Sequence, residues 1–341
     1  MTAQALDLDL GRLVESLRAS RGFAHKTDIA GMLSSLGRAL PNGTEDLGQA
    51  VAIGDDCAAI ADADGYLLFA IEGMVSDFVE SMPWFAGYSA VMVNVSDVYA
   101  MGGRPLAVVD AIWSEGLDNA AEILAGMAAA SAAYGVPIVG GHSNARSDRA
   151  QLAVAILGRA RQLLSSFAAR PGQRLLMAVD LRGAFAEPYP FWNASTTAPA
   201  GRLRADLEVL PALAEEGLCD AAKDISMAGT LGTALMLLEC SGVGANIDLG
   251  AIPLPLGVPL ARWLTAFPSF GYLLAVDEAH VPAVLMRFQD RDIACAEIGT
   301  IDDTRLVNIR AGTGSMAQRA VLWDFAGDPF IVPREAEPTG A

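Results

Sequence analysis

Two groups of acidic side chains lie inside strongly apolar sequence, one helix apart, and they constrain this chain more than any other feature. The first group is Gly54-Asp55-Asp56-Cys57-Ala58, and the second is Asn94-Val95-Ser96-Asp97. An unpaired charge in apolar surroundings is costly, so these carboxylates need partners. Carboxylates that share one site usually hold a cation, which commonly serves a phosphate. The pattern therefore favours a metal site; solvated turn acids and a hydrogen-bonded structural Asp are the alternatives.

The composition bounds the class of protein. The chain has 341 residues, enough for two domains, and 52% of them are hydrophobic. The formal net charge of -17, without a basic patch, argues against nucleic acid as a partner but allows a small anion bound through a metal ion. The absence of a run of about 18 uncharged apolar residues predicts no membrane span. The acidic N-terminus and four scattered cysteines without CxxC spacing predict a cytoplasmic protein with free thiols.

Turns and composition divide the chain into four parts. We predict a helical leader, an N-terminal domain, a C-terminal domain and a tail over residues 1–50, 51–165, 170–310 and 311–341. The boundary between the two domains is the turn at Arg170-Pro171-Gly172. Both halves mix strands with helices without strict alternation, which predicts two α+β domains rather than one doubly wound sheet.

The apolar pattern predicts the elements within these parts. Helices are expected over 10–19, 28–40, 87–101, 119–134, 203–216, 228–239 and 278–289. Strands are expected over 66–71, 106–113, 136–139, 152–160, 174–180, 245–249, 272–276, 293–300 and 305–310. The helix over 28–40 would be capped by Thr27 or Asp28. The segment 187–201 is predicted to be a long loop, and long loops are often functional.

Further polar residues occupy positions where ligand groups often lie. Glu72 ends the strand predicted over 66–71, with an ordinary strand-end acid as the alternative. Gly140 and Gly141 would let the backbone approach a phosphate, and their N–H groups could form an anion nest; a tight turn is the alternative. His142, which follows them, is either a ligand or a structural residue.

A second candidate segment is Asp224-Ile225-Ser226, which opens the helix predicted over 228–239. Helix N-termini attract phosphate, so Asp224 could bind a metal ion while Ser226 caps the helix. Simple capping is the alternative. Walker-type, GxGxxG and GxSxG motifs are missing, and the chain has only three histidines, so no catalytic residue is assigned.

Taken in order, these segments resemble the AIR synthase (PurM-like) superfamily. Within it the pattern is most similar to that of thiamine-monophosphate kinases, and the resemblance covers about residues 45–310. The matching motifs are Gly54-Asp55-Asp56-Cys57-Ala58, Asn94-Val95-Ser96-Asp97 with Met101-Gly102, Val139-Gly140-Gly141, Asp224-Ile225-Ser226 and Gly244-Ala245-Asn246-Ile247-Asp248.

The resemblance implies an α+β fold of two PurM-like domains and a homodimer in which the N-terminal strands form a shared barrel. It implies that ATP is held through Mg²⁺ and clustered acids, and that phosphate passes to a small-molecule acceptor. The implied metal ligands are Asp55, Asp56, Glu72, Asp97 and Asp224. The implied nucleotide-binding residues are Asn94, Gly140, Gly141, His142 and Lys26. Lys26 would meet phosphate as an N-terminal segment does in selenophosphate synthetases; an exposed leader lysine is the alternative.

The chain departs from the kinase pattern on the acceptor side. His142 and Met227 replace two acids, and Pro268-Ser269-Phe270-Gly271-Tyr272 replaces an acidic segment near the substrate. A neutral imidazole is a poorer Mg²⁺ ligand than a carboxylate. We expect an ATP- and Mg²⁺-dependent phosphotransferase or ATP-activating enzyme acting on an unknown small molecule, with 188–199 as an altered acceptor lid. The alternatives are a catalytically quiet nucleotide-binding regulatory dimer and a structural partner protein with a vestigial cleft.

Overall fold

The computed structural model describes residues 9–39, 52–312 and 317–332. The predicted domain start at residue 51 and the last residues of the predicted tail lie outside these ranges. The chain forms two compact units, which we name by their main sheets. The five-stranded unit comprises Asp56–Leu164 and Asn193–Gly217, and the seven-stranded unit comprises Met1–Asp55, Ser165–Trp192 and Leu218–Ala341.

Helices and strands are mixed in both units. The helices are α1 Leu10–Arg18, α2 Arg21–Ala39, α3 Ser76–Ser81, α4 Pro83–Ala100, α5 Leu117–Tyr134, α6 Ala200–Leu207, α7 Val209–Glu215, α8 Gly229–Cys240, α9 Leu260–Trp263 and α10 Val281–Gln289, with 3₁₀ turns at Leu249–Ala251 and Glu278–His280. The strands are β1 Ala58–Asp62, β2 Gly65–Met74, β3 Arg104–Glu115, β4 Ile138–Asn144, β5 Arg146–Ala160, β6 Arg174–Val179, β7 Ala184–Phe185, β8 Phe191–Asn193, β9 Ala221–Asp224, β10 Gly244–Asp248, β11 Phe267–Pro268, β12 Gly271–Val276, β13 Ala294–Asp302, β14 Leu306–Ala311 and β15 Gln318–Asp324.

The sheet of the five-stranded unit has the order β1-β2-β5-β3-β4. Only β3 and β4 pair in parallel; the other neighbours are antiparallel. Helix α4 packs against β2, β3 and β5, and α5 packs against β3. Alternate apolar residues of the strands, such as Leu68, Val108 and Ile156, are fully buried. One face of the sheet therefore forms a core with the helices.

Two glycines set the distance between α4 and α5. A Cβ atom on Gly126 would lie 1.8 Å from the carbonyl oxygen of Trp84, and one on Gly87 would lie 2.0 Å from that of Ile123. No side chain fits in such a space, so the helices touch through their backbones. Nearly every residue of α4 is buried, as its uniformly apolar sequence predicts.

Residues 193–217 pack with the five-stranded unit, and the predicted C-terminal domain over 170–310, which includes them, stays a prediction. The Ser195 hydroxyl lies 2.6 Å from the Tyr88 hydroxyl and 2.7 Å from that of Tyr134. Burial raises the pKa of both tyrosines, so this interior network stays neutral. Arg104 donates to Glu208 at 2.9 Å. These contacts explain why the segment folds with the N-terminal strands.

The seven-stranded sheet has the order β15-β14-β10-β13-β6-β12-β9. Its pairs are antiparallel except for β10 with β14. Every residue of β12 is buried, and so are all but the first of β6. Helices α1, α8 and α10 pack against strands of this sheet. None of the helices in the described ranges is both long and apolar enough to span a membrane.

The leader and the tail pack together on the seven-stranded unit. The Phe23 ring of α2 lies 5.4 Å from the Phe330 ring and 6.3 Å from the Trp323 ring. Glu239 of α8 accepts the backbone N–H groups of Phe330, Ile331 and Val332 at 2.7, 2.6 and 3.0 Å. A buried carboxylate that receives three N–H groups is well satisfied. Glu239 therefore holds the last described residues against α8.

Two local predictions are wrong. The second helix begins at Arg21 rather than near Asp28, because the Ser20 hydroxyl accepts the N–H of Phe23 at 3.3 Å. The segment 187–201 is not a simple loop, since β8 pairs with β11. The Trp192 indole of β8 is buried and donates to the carbonyl of Asp180 at 2.9 Å.

Candidate metal and phosphate site

Asp56 and Asp97 meet in the five-stranded unit. Asp56 lies just before β1, after Gly54 with its φ of 128°, and Asp97 lies in α4 with 6% of its surface exposed. A carboxylate oxygen of Asp56 and one of Asp97 lie within 4.8 Å of each other. Two carboxylates at this distance repel unless a proton or a cation lies between them. One carboxylate from each acid group therefore lies close to the other, and their role as metal ligands stays a prediction.

Asn94 adds an unsatisfied oxygen to the same helix. Its side chain is 0% exposed and lies three residues before Asp97, hence on the same helical face. Asn94 Nδ2 donates to the carbonyl of Ala90 at 2.8 Å, but Oδ1 has no hydrogen-bond partner among the described residues. A buried oxygen without a partner costs stability, and binding of a cation would satisfy it. The two carboxylates and this amide are the oxygen donors that Mg²⁺ prefers.

Asp55, although adjacent to Asp56, makes different contacts. Its carboxylate accepts the Ser165 hydroxyl at 2.7 Å, the Ser166 N–H at 3.0 Å and the Ser166 hydroxyl at 2.6 Å. These bonds hold the segment that begins the second part of the seven-stranded unit. The described contacts of Asp55 are thus structural, and its role as a metal ligand stays a prediction.

We expect Asp55→Ala to lower the free energy of unfolding by about 3 kcal/mol, because three donors lose a charged acceptor. Asp56→Ala should leave stability unchanged or raise it in metal-free buffer, because it relieves repulsion with Asp97. Urea titration followed by tryptophan fluorescence measures both. Equal destabilisation by the two substitutions would show that the adjacent acids do not have separate roles.

Glu72 and the glycine pair lie within strands rather than at their ends. Strand β2 continues to Met74, so Glu72 is an exposed residue inside it. Gly140, Gly141 and His142 belong to β4, which pairs in parallel with β3. Because successive N–H groups of a strand point in opposite directions, neither the anion nest nor the tight turn is present. As β4 ends the order of this sheet, an anion could approach the glycines along its outer edge.

Asp110 is a candidate site residue that was not predicted from the sequence. Across the sheet, Glu72, Val154, Asp110 and Gly141 lie directly opposite one another on neighbouring strands, so they share one face. A Cβ atom on Gly141 would lie 2.5 Å from an Asp110 carboxylate oxygen. Burial raises the pKa of the Asp110 carboxyl. The sequence does carry a signal for Asp110, because it is an acidic residue inside the otherwise apolar strand predicted over 106–113.

The other predicted metal ligand, Asp224, belongs to the seven-stranded unit. It is the last residue of β9, is 5% exposed and pairs with Tyr272. The predicted capping by Ser226 is wrong, because α8 begins at Gly229 and the Ser226 N–H donates to the Thr233 hydroxyl at 3.2 Å. Ser226 Oγ is buried and has no hydrogen-bond partner among the described residues. The adjacent Lys223, also missed, is a buried cation in an apolar strand.

Lys26 lies on a helix that contacts this segment. A Cβ atom on Gly22 of α2 would lie 2.4 Å from the carbonyl oxygen of Met227, and one on Gly232 would lie 3.0 Å from the Phe23 ring. Lys26 follows Gly22 by four residues and is half-buried, so it lies on the face of α2 that packs near the start of α8. A helix N-terminus and a lysine both favour an anion.

Two family models match consecutive parts of this two-unit chain. The model for the N-terminal domain of AIR synthase related proteins matches residues 54–160, and the model for their C-terminal domain matches residues 190–311. The chain belongs to the AIR synthase related protein family. This membership confirms the resemblance on which the expected fold was based.

Relatives within the AIR synthase family include an uncharacterized protein of Synechocystis sp., 46% identical over 93% of this chain and 97% of its own length. Thiamine-monophosphate kinase of Methanospirillum hungatei is 28% identical over 59% of this chain and 70% of its own length. PurL of T. maritima in complex with ATP has a similar fold, with a TM-score of 0.67 and 18% identity over 92% of this chain. The chain spans about half the length of that protein, covering 54% of it. The predicted two-domain, PurM-like α+β fold is confirmed.

Proposed function

We propose that this AIR synthase family protein is an ATP- and Mg²⁺-dependent phosphotransferase or ATP-activating enzyme that acts on a small molecule. The observation that carries the proposal is the approach of Asp56 and Asp97 to within 4.8 Å, in the part of the chain that matches the N-terminal AIR synthase domain. Two buried or half-buried acids at this distance repel each other, and a bound cation would supply a counter-charge to both. A kinase among the relatives and an ATP complex among the solved structures support a phosphate-bearing ligand.

Within the five-stranded unit, Asp56, Asp97 and the Asn94 amide oxygen would hold Mg²⁺. Bound Mg²⁺ supplies neutralisation of the negative charge that develops on a phosphate during transfer. Asp55, Glu72 and Asp224 stay proposed ligands on the strength of their motifs.

The chain itself would bind the nucleotide in two ways. A phosphate or ribose would lie close to the backbone of β4, and Lys26 would supply a positive charge. Gly140 lacks a side chain on the edge strand β4, which leaves room for a phosphate or ribose there. Gly141, whose side-chain space holds the Asp110 carboxylate, would contribute its backbone. Lys26 would contact phosphate from α2, and His142, exposed beside Trp113 at a ring distance of 5.9 Å, would contact the nucleotide.

A catalytically quiet, nucleotide-binding regulatory dimer is the second candidate. The observation that favours it is the replacement of two kinase acids by His142 and Met227. The two candidates share a binding site and differ in turnover. The cytoplasmic location that the sequence predicts suits both.

Isothermal titration calorimetry with ATP, in buffer containing Mg²⁺ and in the same buffer with EDTA, tests the proposal. We expect binding that requires the metal, together with release of ADP when acceptor candidates are supplied. Binding without turnover across an acceptor panel would support the regulatory candidate. Absence of binding in both buffers would contradict both candidates.

We also infer that the protein is a homodimer formed through the sheet of the five-stranded unit. The face opposite α4 and α5 exposes large apolar side chains, including Phe69 at 51% and Ile71 at 66%. Leu157 pairs with Phe69, and Ala155 lies between Ile71 and Val109, so these side chains form one continuous surface. Apolar patches of this kind mark association sites. A second copy of the same sheet is the self-complementary partner that a two-fold dimer requires.

A further inference from the structure

The seven-stranded unit carries a polar cavity of about 370 Å³ that is separate from every residue of the proposed ATP site. Its floor is one face of β10, β13 and β14, and the 3₁₀ turn Leu249–Ala251 packs against β13 and β14 beside it. The polar residues that line the cavity include Asn246, Asp248, Glu297, Thr300, Asn308, Arg310 and Arg319. The volume lies within the range of small-molecule sites, about 300 to 1,000 Å³.

Alternation along the strands explains why this face is polar. Ile247 of β10 and Ile309 of β14 are fully buried, while their neighbours Asn246, Asn308 and Arg310 point to the opposite face. An open sheet face in water is also polar, so polarity alone does not indicate a ligand. The concave shape of this face and its distribution of charge do.

Two arginines lie directly opposite each other at one end of the cavity. Arg310 of β14 pairs in register with Arg319 of β15, and like charges in this arrangement destabilise a sheet. Asp248 neutralises Arg310 through an ion pair of 2.8 Å. Arg319 is exposed and makes no ion pair with any described residue. The charge of Arg319 is therefore not paired by any residue that the structure describes, in a chain whose net charge is -17.

Glu297, the other acidic residue that lines the cavity, lies away from the end that holds Arg310 and Arg319. Glu297 lies 3.6 Å from Arg174, which is outside the cavity. Asn246 donates to Asp302 at 2.7 Å. The Asn308 amide and the Thr300 hydroxyl are half-exposed and can both donate and accept hydrogen bonds.

We propose that this cavity binds a small anion that carries hydroxyl groups. Arg319 and Arg310 would hold its phosphate or carboxylate, because guanidinium groups recognise such anions through paired N–H donors. Asn308 and Thr300 would bind its hydroxyl groups. The ligand class is therefore a sugar phosphate or a sugar acid, and its binding is independent of the proposed ATP chemistry.

Calorimetry with ribose 5-phosphate, gluconate, ribose and inorganic phosphate tests the proposal. We expect ribose 5-phosphate or gluconate to bind, and the stronger of the two identifies the anionic group. Ribose and inorganic phosphate should bind at least about tenfold more weakly, since each lacks half of the recognised groups. Arg319→Gln should weaken binding of the anion at least about tenfold. Arg149→Gln, which changes an exposed arginine of β5, and Asp97→Asn should leave it unchanged.

A melting curve of the Arg319→Gln variant gives an independent measurement. In anion-free buffer this variant should melt at or above the temperature of the wild type, because repulsion with Arg310 is removed. It should also lose the stabilisation that the anion gives to the wild type. Failure of both anions to bind the wild type would overturn the proposal. So would ribose binding as tightly as ribose 5-phosphate, or anion binding that survives Arg319→Gln but is lost in Asp97→Asn.

Discussion

Asp97→Asn should reduce Mg²⁺-dependent ATP turnover at least about 100-fold, because it removes one of two close carboxylates that would hold the metal. The substitution keeps the shape of the side chain inside the buried face of α4, so folding should survive. In buffer with EDTA the variant should melt at a higher temperature than the wild type, since repulsion with Asp56 disappears. The wild type alone should gain stability when Mg²⁺ is added.

Asp118→Asn is the matched control for this measurement. Asp118 is an exposed acid in the first turn of α5, so its loss changes the net charge by the same amount without touching Asp56 or Asn94. Steady-state release of ADP and melting curves with and without Mg²⁺ distinguish the variants. If Asp97→Asn turns over ATP at the wild-type rate, the metal site lies elsewhere.

Phe69→Glu should convert the proposed dimer into monomers, with a dissociation constant raised at least about 100-fold. Phe69 lies within the exposed apolar face of β2, beside Leu157 on β5. Burial of a glutamate there without a partner costs several kcal/mol, and two-fold symmetry brings the same residue from both copies into one interface. Monomer folding should be preserved, because the Phe69 side chain is 51% exposed in the single chain.

Sedimentation velocity over a range of concentrations measures this effect. Met286→Glu provides the control, since Met286 is an apolar residue of α10, 56% exposed, outside the five-stranded unit. The control should sediment as the wild type does. A wild type that sediments as a monomer, or a Phe69→Glu variant that remains dimeric, would contradict the proposed interface.

The sequence predicts this fold well where one physical signal dominates. Helix α4 is apolar on all sides, so both its existence and its burial follow from the pattern. The glycine pair at 140–141 shows the limit, because adjacent glycines usually indicate a turn. Here Gly141 is small because the Asp110 carboxylate occupies the space of its side chain in a neighbouring strand. That requirement arises from strand pairing, which the local sequence does not contain.

The candidate site is predictable in part for a similar reason. Helix periodicity alone predicts that Asp97 shares a helical face with Asn94, because the two residues lie three positions apart. Asp55 and Asp56 look equivalent in sequence, yet the Asp55 carboxylate accepts hydrogen bonds from the Ser165 and Ser166 hydroxyls. Partners that are 110 residues away or more cannot be inferred from a short motif. Lys223 was missed because a single charge in an apolar strand carries no spacing signal.

The contacts of Glu239 have a consequence for synthesis of the chain on the ribosome. Asp56–Leu164 supplies every strand of the five-stranded sheet, so that sheet can pair while the rest is still being made. The seven-stranded unit needs β15 and the backbone of residues 330–332, which follow every other strand of that sheet along the chain. Until then the aromatic face of α2 around Phe23 lacks Trp323 and Phe330. The leader helices are thus made long before two of the aromatic residues that Phe23 packs against, so this part of their packing waits for Trp323 and Phe330.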